Sequence, residues 1–97
     1  MRVIAGSARG VPLKVPSRVD VRPTSDRVRE ALFSMIAERL PGARCLDLFA
    51  GSGALGIEAL SRGADSCLFV DQESAACQTI RGNLRRSGLA GGEVKIA

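Results

Sequence analysis

The residues best placed to do chemistry are a glycine-rich hexad and two acids spaced around it. Gly51-Ser52-Gly53-Ala54-Leu55-Gly56 fits G-x-G-x-x-G. It falls between a segment that reads as a strand and one that reads as a helix, the context in which such a loop brings bare backbone close to a ligand. Asp71 follows Gly51 by twenty residues, at the end of the next strand-like run, where a carboxylate can accept hydrogen bonds from ribose hydroxyls. Asp47 lies four residues before Gly51, inside the first strand. The loop and the distal acid alone suit either a dinucleotide or S-adenosyl-L-methionine. Asp47 separates the two: a pyrophosphate at a helix N-terminus is an anion that a nearby carboxylate opposes, whereas S-adenosylmethionine carries a sulfonium and an ammonium group. The same acid can also cap backbone amides of the loop, and the two roles are compatible.

Such a site needs a strand, a helix and a second strand to hold it, and the hydrophobic pattern supplies them. Residues 43–49 form a short continuous apolar run broken by Asp47 and Arg44, the signature of a buried strand. A helix is predicted over about 53–62, closed by Gly63, and a second buried strand over 66–71. A helix over about 74–86 ends at Gly88, with Ala76, Cys77, Ile80 and Leu84 as its apolar side, and 93–96 begins a third strand. This order predicts an α/β chain with a Rossmann-like, doubly wound, mostly parallel sheet. Three core strands make only one half of such a sheet, so a truncated chain is expected.

Upstream, Gly6, Gly10, Pro12, Pro16 and Pro23 punctuate residues 1–24, which read as a strand or small hairpin followed by an extended segment. Thr24 or Ser25 can cap the next helix, whose apolar stripe is Val28, Ala31, Leu32, Met35 and Ile36, stopped by Pro41-Gly42. The domain reading is therefore a basic arm or hairpin over 1–24 and half of a Rossmann-like domain over 25–97.

Charge is unevenly distributed. Of the net +4, residues 1–29 carry +5, from Arg2, Arg9, Lys14, Arg18, Arg22, Arg27 and Arg29 against Asp20 and Asp26, so the rest sums to −1. A basic front on a near-neutral body points to a polyanion, with Arg2, Arg9 and Lys14 as candidate RNA-phosphate contacts. With no histidine and three cysteines (Cys45, Cys67, Cys77) lacking Cys-x-x-Cys spacing, an imidazole base is excluded and no metal site is expected. The cysteines read as small buried hydrophobes in a reducing compartment. No apolar run reaches the roughly 20 residues of a membrane span, and the N-terminus lacks a secretory core, so no membrane association and a cytoplasmic location are expected.

The stretch Leu46-Asp47-Leu48-Phe49-Ala50-Gly51-Ser52-Gly53-Ala54-Leu55-Gly56-Ile57-Glu58-Ala59-Leu60-Ser61-Arg62-Gly63-Ala64 resembles the bacterial RsmD family, as do Arg2-Val3-Ile4-Ala5-Gly6-Ser7-Ala8-Arg9-Gly10 and Arg22-Pro23-Thr24-Ser25-Asp26-Arg27-Val28-Arg29-Glu30-Ala31-Leu32-Phe33. Those enzymes methylate the exocyclic N2 of a guanine in 16S ribosomal RNA. The resemblance implies S-adenosylmethionine as cofactor, and 16S rRNA or the small ribosomal subunit as partner. It places Asp47, Phe49, Ala50, Gly51, Ser52, Gly53, Asp71 and Gln72 around the cofactor, and Arg22, Thr24, Arg27 and Arg29 toward the cofactor's methionine end or the RNA. Members often carry Glu where this chain has Asp71.

The family's catalytic signature, Asn- or Asp-Pro-Pro followed by Tyr or Phe, is absent: Pro12, Pro16, Pro23 and Pro41 are isolated. That motif accepts from the exocyclic amine and stacks the target base, so no catalytic residue is assigned and these 97 residues alone are predicted inactive. Two rivals share parts of the pattern: a nicotinamide-dependent oxidoreductase half, opposed by Asp47 and the basic front, and a non-catalytic RNA-binding domain on a degenerate methyltransferase fold.

Overall fold

The computed structural model describes residues 1–16 and 25–97. Strands β1 (Arg44–Leu48), β2 (Ser66–Asp71) and β3 (Gly92–Ile96) form a parallel sheet in the order β1-β2-β3. Arg44 pairs with Ser66 and Cys67 with Gly92, so the register brings Asp47 level with Phe69. The connections are helices α2 (Ala54–Ser61) and α3 (Ser74–Ser87), preceded in the chain by α1 (Asp26–Ile36) and a 3-10 turn over Ala37–Arg39. This is the strand–helix alternation the hydrophobic pattern predicts.

Helix ends follow local chemistry. Ser25 caps α1 by accepting the Val28 amide at 3.2 Å, and Gly88 ends α3 in the left-handed region, its amide returning to Leu84 and Arg85 carbonyls. Gly56 on α2 lies so close to the sheet that a Cβ there would stand 2.3 Å from the Phe69 ring and 2.6 Å from Cys67 Sγ. Helix and sheet thus meet on Phe69, Ile57 and Ile80, all fully buried, each contributing about 1.5–3 kcal/mol by leaving water.

Two expectations are corrected. Most of the stripe assigned to α1 does not face the core: Val28, Ala31, Leu32 and Met35 are exposed, Met35 at 83%, while Ile36 packs against it. The packed side is instead Arg29 and Phe33, because Phe33 lies under the Arg62 guanidinium at 5.1 Å and Arg29 meets a buried acid on α2. Strand β1 is also less buried than its composition suggests. Its residues alternate, and Leu46 and Leu48, on the face turned away from α2, are 60% and 56% exposed.

The N-terminal segment packs on this core rather than standing clear of it. Arg2 and Pro12 form an antiparallel bridge, flanked by bonds from the Val3 amide to Val11 and from the Leu13 amide to Met1. Val3, Ala8 and Leu13 are buried with the main core. No helix among the described residues is long and apolar enough to cross a membrane.

Candidate functional site

Strand β1 runs into α2 through a turn of five residues, 49–53, which needs left-handed backbone at Phe49 (φ +57°), Gly51 (+59°) and Gly53 (+80°). Gly53 precedes α2 and has no side chain to cap it. Its missing Cβ would stand 3.1 Å from Ile80, so glycine serves both backbone and packing there. The Ala50 amide bonds Val70 at 3.0 Å and the Gly53 amide bonds Ala50 at 2.8 Å, which closes the turn onto β2. Ser52 Oγ accepts the Ala54 amide at 3.3 Å.

Both sequence-predicted acids reach this turn. Asp71 accepts the Gly51 amide on Oδ2 at 3.0 Å and the Glu73 amide on Oδ1 at 2.9 Å. Asp47 Oδ2 accepts the Gly56 amide at 3.1 Å, supplying from the sheet the cap that Gly53 cannot. Its other oxygen has no protein partner among the described residues. Beside it lies an apolar cleft of about 200 Å³, lined by Phe33, Ile36, Leu40 and Leu55 among others. Burial pushes the Asp47 carboxyl up to about 6, the Gly56 amide pulls it partly back, and the Asp71 charge adds to the rise. A cation arriving here would relieve that strain on the charged form.

Of the other residues predicted to hold a cofactor, Ala50 and Gly51 are half-buried, Ser52 is buried, and Gln72 is exposed. Phe49 presents its ring to solvent at 87% exposure on a strained backbone. Among the candidate RNA contacts, Arg2, Arg9, Lys14 and Arg27 are exposed. Arg29 is not available: it has no exposed surface, and its guanidinium is taken by Asp26, by Glu58 at 3.5 Å and by the Arg2 carbonyl at 2.8 Å. Its charge is neutralised inside the protein. Arg22 and Thr24 lie outside the described residues. Among the described residues no group of three or more His, Cys, Asp or Glu could hold a metal ion.

Three buried polar residues escaped the sequence reading. Glu58 accepts the amides of Ile4 at 2.8 Å and Ala5 at 3.0 Å and pairs with Arg62 at 2.8 Å as well as Arg29. Ser61 Oγ accepts the Ala8 amide and donates to the Ala5 carbonyl. Asn83 accepts the Lys14 amide and donates to the Lys14 and Ser52 carbonyls, each bond 2.8–2.9 Å. Together they fasten the N-terminal segment to α2, α3 and the glycine turn. A signal existed: Glu58 is the one acid in an apolar helix, and Asn83 falls on the apolar face of α3.

A parallel sheet carrying an acid-braced glycine turn between β1 and α2 is Rossmann-like, and its likeness to solved methyltransferases makes it their fold. The C-terminal domain of precorrin-6Y C5,15-methyltransferase from Rhodobacter capsulatus shares that fold, with a TM-score of 0.71 over 86% of this chain and 48% of that one, at 21% identity. A candidate methyltransferase of Escherichia coli, yhhF, superposes over the whole chain and 52% of its own with a TM-score of 0.89 at 43% identity. The chain belongs to the family described as conserved hypothetical protein 95, which matches residues 1–96, and the resemblance to the RsmD family is borne out. Ribosomal RNA small subunit methyltransferase D of Escherichia coli strain K12 is 49% identical over 84 residues, 87% of this chain and 42% of that protein. Its Haemophilus influenzae counterpart is 42% identical over 85 residues, 88% of this chain and 44% of that protein. The chain thus spans less than half the length of these curated relatives.

Proposed function

We propose that the protein serves methylation of the exocyclic N2 of a guanine in 16S ribosomal RNA, with S-adenosylmethionine as methyl donor. The observation that carries the cofactor is the occupation of amides in the turn and at the start of α2. Gly51 and Gly56 already donate to Asp71 and Asp47, so the turn presents carboxylates where a pyrophosphate would require free N–H groups. That arrangement disfavours a nicotinamide dinucleotide and favours a cationic ligand bearing hydroxyls. Asp47 would face the charged methionine end, directly or through water. Asp71 retains lone pairs for ribose hydroxyls. The turn 49–53, with Gln72, would line the remainder.

When bound, the cofactor supplies an electrophilic methyl group. This chain's residues bind and orient; none of them is assigned to proton transfer. The relatives' names, which specify ribosomal RNA of the small subunit, support the substrate, and the exposed cations Arg2, Arg9 and Lys14 support contact with its phosphates.

Isothermal titration of the protein as its gene encodes it tests this reading, with S-adenosylmethionine and NADH in parallel. S-adenosylmethionine is expected to bind and NADH not. Asp71→Ala should weaken the former by about tenfold, or ~1.4 kcal/mol, in a folded protein. Binding of NADH with none of S-adenosylmethionine would overturn the assignment. With the cofactor established, transfer of a labelled methyl group to guanine in a 16S transcript tests the substrate, and labelling confined to another base would refute it.

A further inference from the structure

The geometry points to an extension of the RNA-phosphate surface from Lys14 onto the outer face of α3, centred on Arg85 and Arg86; it rests on the reading of the protein as an RNA enzyme. Helix α3 contains Arg81, Arg85 and Arg86 and no acid between Ser74 and Ser87. Beside it runs an open groove of about 400 Å³, lined by Lys14, Gln78, Thr79, Gly82, Arg85 and Arg86 among others, none of them acidic.

Two features make this more than scattered surface charge. First, the two guanidinium groups converge: a Cβ on Gly82 would stand 3.7 Å from Arg86 Nη2 and 3.9 Å from Arg85 Nη2. Two cations held over one bare helical position repel each other until an anion sits between them. The absent side chain at Gly82 leaves that anion room. Second, the Arg86 guanidinium and the backbone that carries Lys14 are preorganised. Asn83, fully buried, receives Arg86 Nη2 on Oδ1 at 2.6 Å and clamps the backbone of Lys14 on both sides. Lys14 is thereby fixed at the rim of the same groove, and less freedom is lost when a phosphate binds.

The occupant is a nucleic-acid backbone. A groove lined by three cations, without an aromatic ring to stack a base, matches phosphates in series rather than a base edge. The surface would therefore add affinity and register, and leave the choice of target base to other residues.

The test measures binding of the protein as its gene encodes it to a 16S rRNA transcript across a KCl series. Arg85→Gln/Arg86→Gln should make the slope of log K against log salt shallower by about 1.4–1.8, which at 0.1 M salt is about 25–60-fold in affinity. Gly82→Glu, which keeps both arginines and sets a carboxylate beside their guanidiniums, should move binding in the same direction. Arg39→Gln/Arg44→Gln, an equal charge change at exposed positions outside the groove, should not. An unchanged slope in the α3 variants, or an equal loss in the control, would overturn this surface while leaving the RNA reading intact. A wild-type protein that binds no RNA at any salt would overturn the RNA reading itself.

Discussion

Glu58 is the position where one substitution should separate the N-terminal segment from the body of the protein. The carboxylate has no exposed surface and holds four partners: the Ile4 and Ala5 amides, Arg29 and Arg62. Glu58→Ala leaves two backbone amides without acceptors, at about 1–3 kcal/mol each if they stay buried. It also leaves the Arg29 guanidinium inside without its fully buried partner, and breaking such a pair costs about 3–5 kcal/mol. These losses share one locality and do not add in full, so a net loss of about 4 kcal/mol is expected. Against a total stability of about 5–15 kcal/mol, that places the variant near the edge of folding. Glu58→Gln keeps the volume and one acceptor oxygen and should lose about half as much. Urea unfolding gives the magnitude. Hydrogen exchange gives the location, because the Ile4 and Ala5 amides should lose protection in Glu58→Gln while Phe69 in the sheet keeps most of its own. A loss below about 1 kcal/mol, with Ile4 and Ala5 still protected, would refute the reasoning that this buried acid fastens the segment.

Three further outcomes follow from the same contacts. At Gly6, with φ +89° and a missing Cβ only 1.9 Å from the Ser61 carbonyl oxygen, alanine should cost about 2 kcal/mol or more and speed tryptic cleavage after Arg9; an unchanged melting temperature would count against the contact. The Asp47 carboxyl titrates at about 6 instead of 3.8, so between about pH 4 and pH 6 the folded chain holds more protons than the unfolded one and stability falls as pH rises. Asp47→Asn should therefore stabilise the unliganded protein at pH 7 by about 1–3 kcal/mol and flatten that slope in urea titrations, and a less stable variant at pH 7 would contradict the assignment. Cys67 and Cys77 are buried and Cys45 is half-buried, with Cys45 raised by burial and by the Asp47 charge and Cys67 pushed up to about 12. Iodoacetamide at pH 7 should thus label only Cys45 in the native protein, slowly, and rapid modification of two or three thiols would show the sheet to be looser than described.

What the sequence revealed and what it hid divide along the range of the interactions. The glycine turn and its acids were legible because Asp47 acts nine residues away on Gly56 and Asp71 twenty away on Gly51, within one strand–helix–strand unit. The limits of β2 and the end of α3 at Gly88 were legible for the same reason. The packed face of α1 was not. Hydrophobic periodicity counts Arg29 as polar, yet an acid 29 residues further on makes its burial favourable. Asn83 was left out of the apolar side of α3 because its type is polar, and its bonds to Lys14 span 69 residues. The exposure of Leu46 and Leu48 was hidden too, because composition marks a strand as apolar without saying which of its faces a helix will cover.

The amide of Asn83 joins the two halves of the proposed chemistry. Its Nδ2 spends both hydrogens, one on Lys14 and one on the Ser52 carbonyl of the glycine turn, while Oδ1 receives the Lys14 amide and Arg86. Every bond of the side chain is made, in a site with no access to water, where satisfied polar networks fix geometry and half-satisfied ones are costly. The basic groove and the glycine turn are therefore positioned by one group, not by two independent surfaces. On the proposed reading, a phosphate drawn to Arg86 would pull on the same oxygen that fixes Lys14, and a rotation of that amide would be felt at Ser52. On the proposed function, a base held through its distant backbone would have to be brought within bonding reach of a methyl group, where small misplacements cost large factors in rate. A buried amide shared between the two proposed sites would meet that need by tying the register set at the phosphates to the glycine turn.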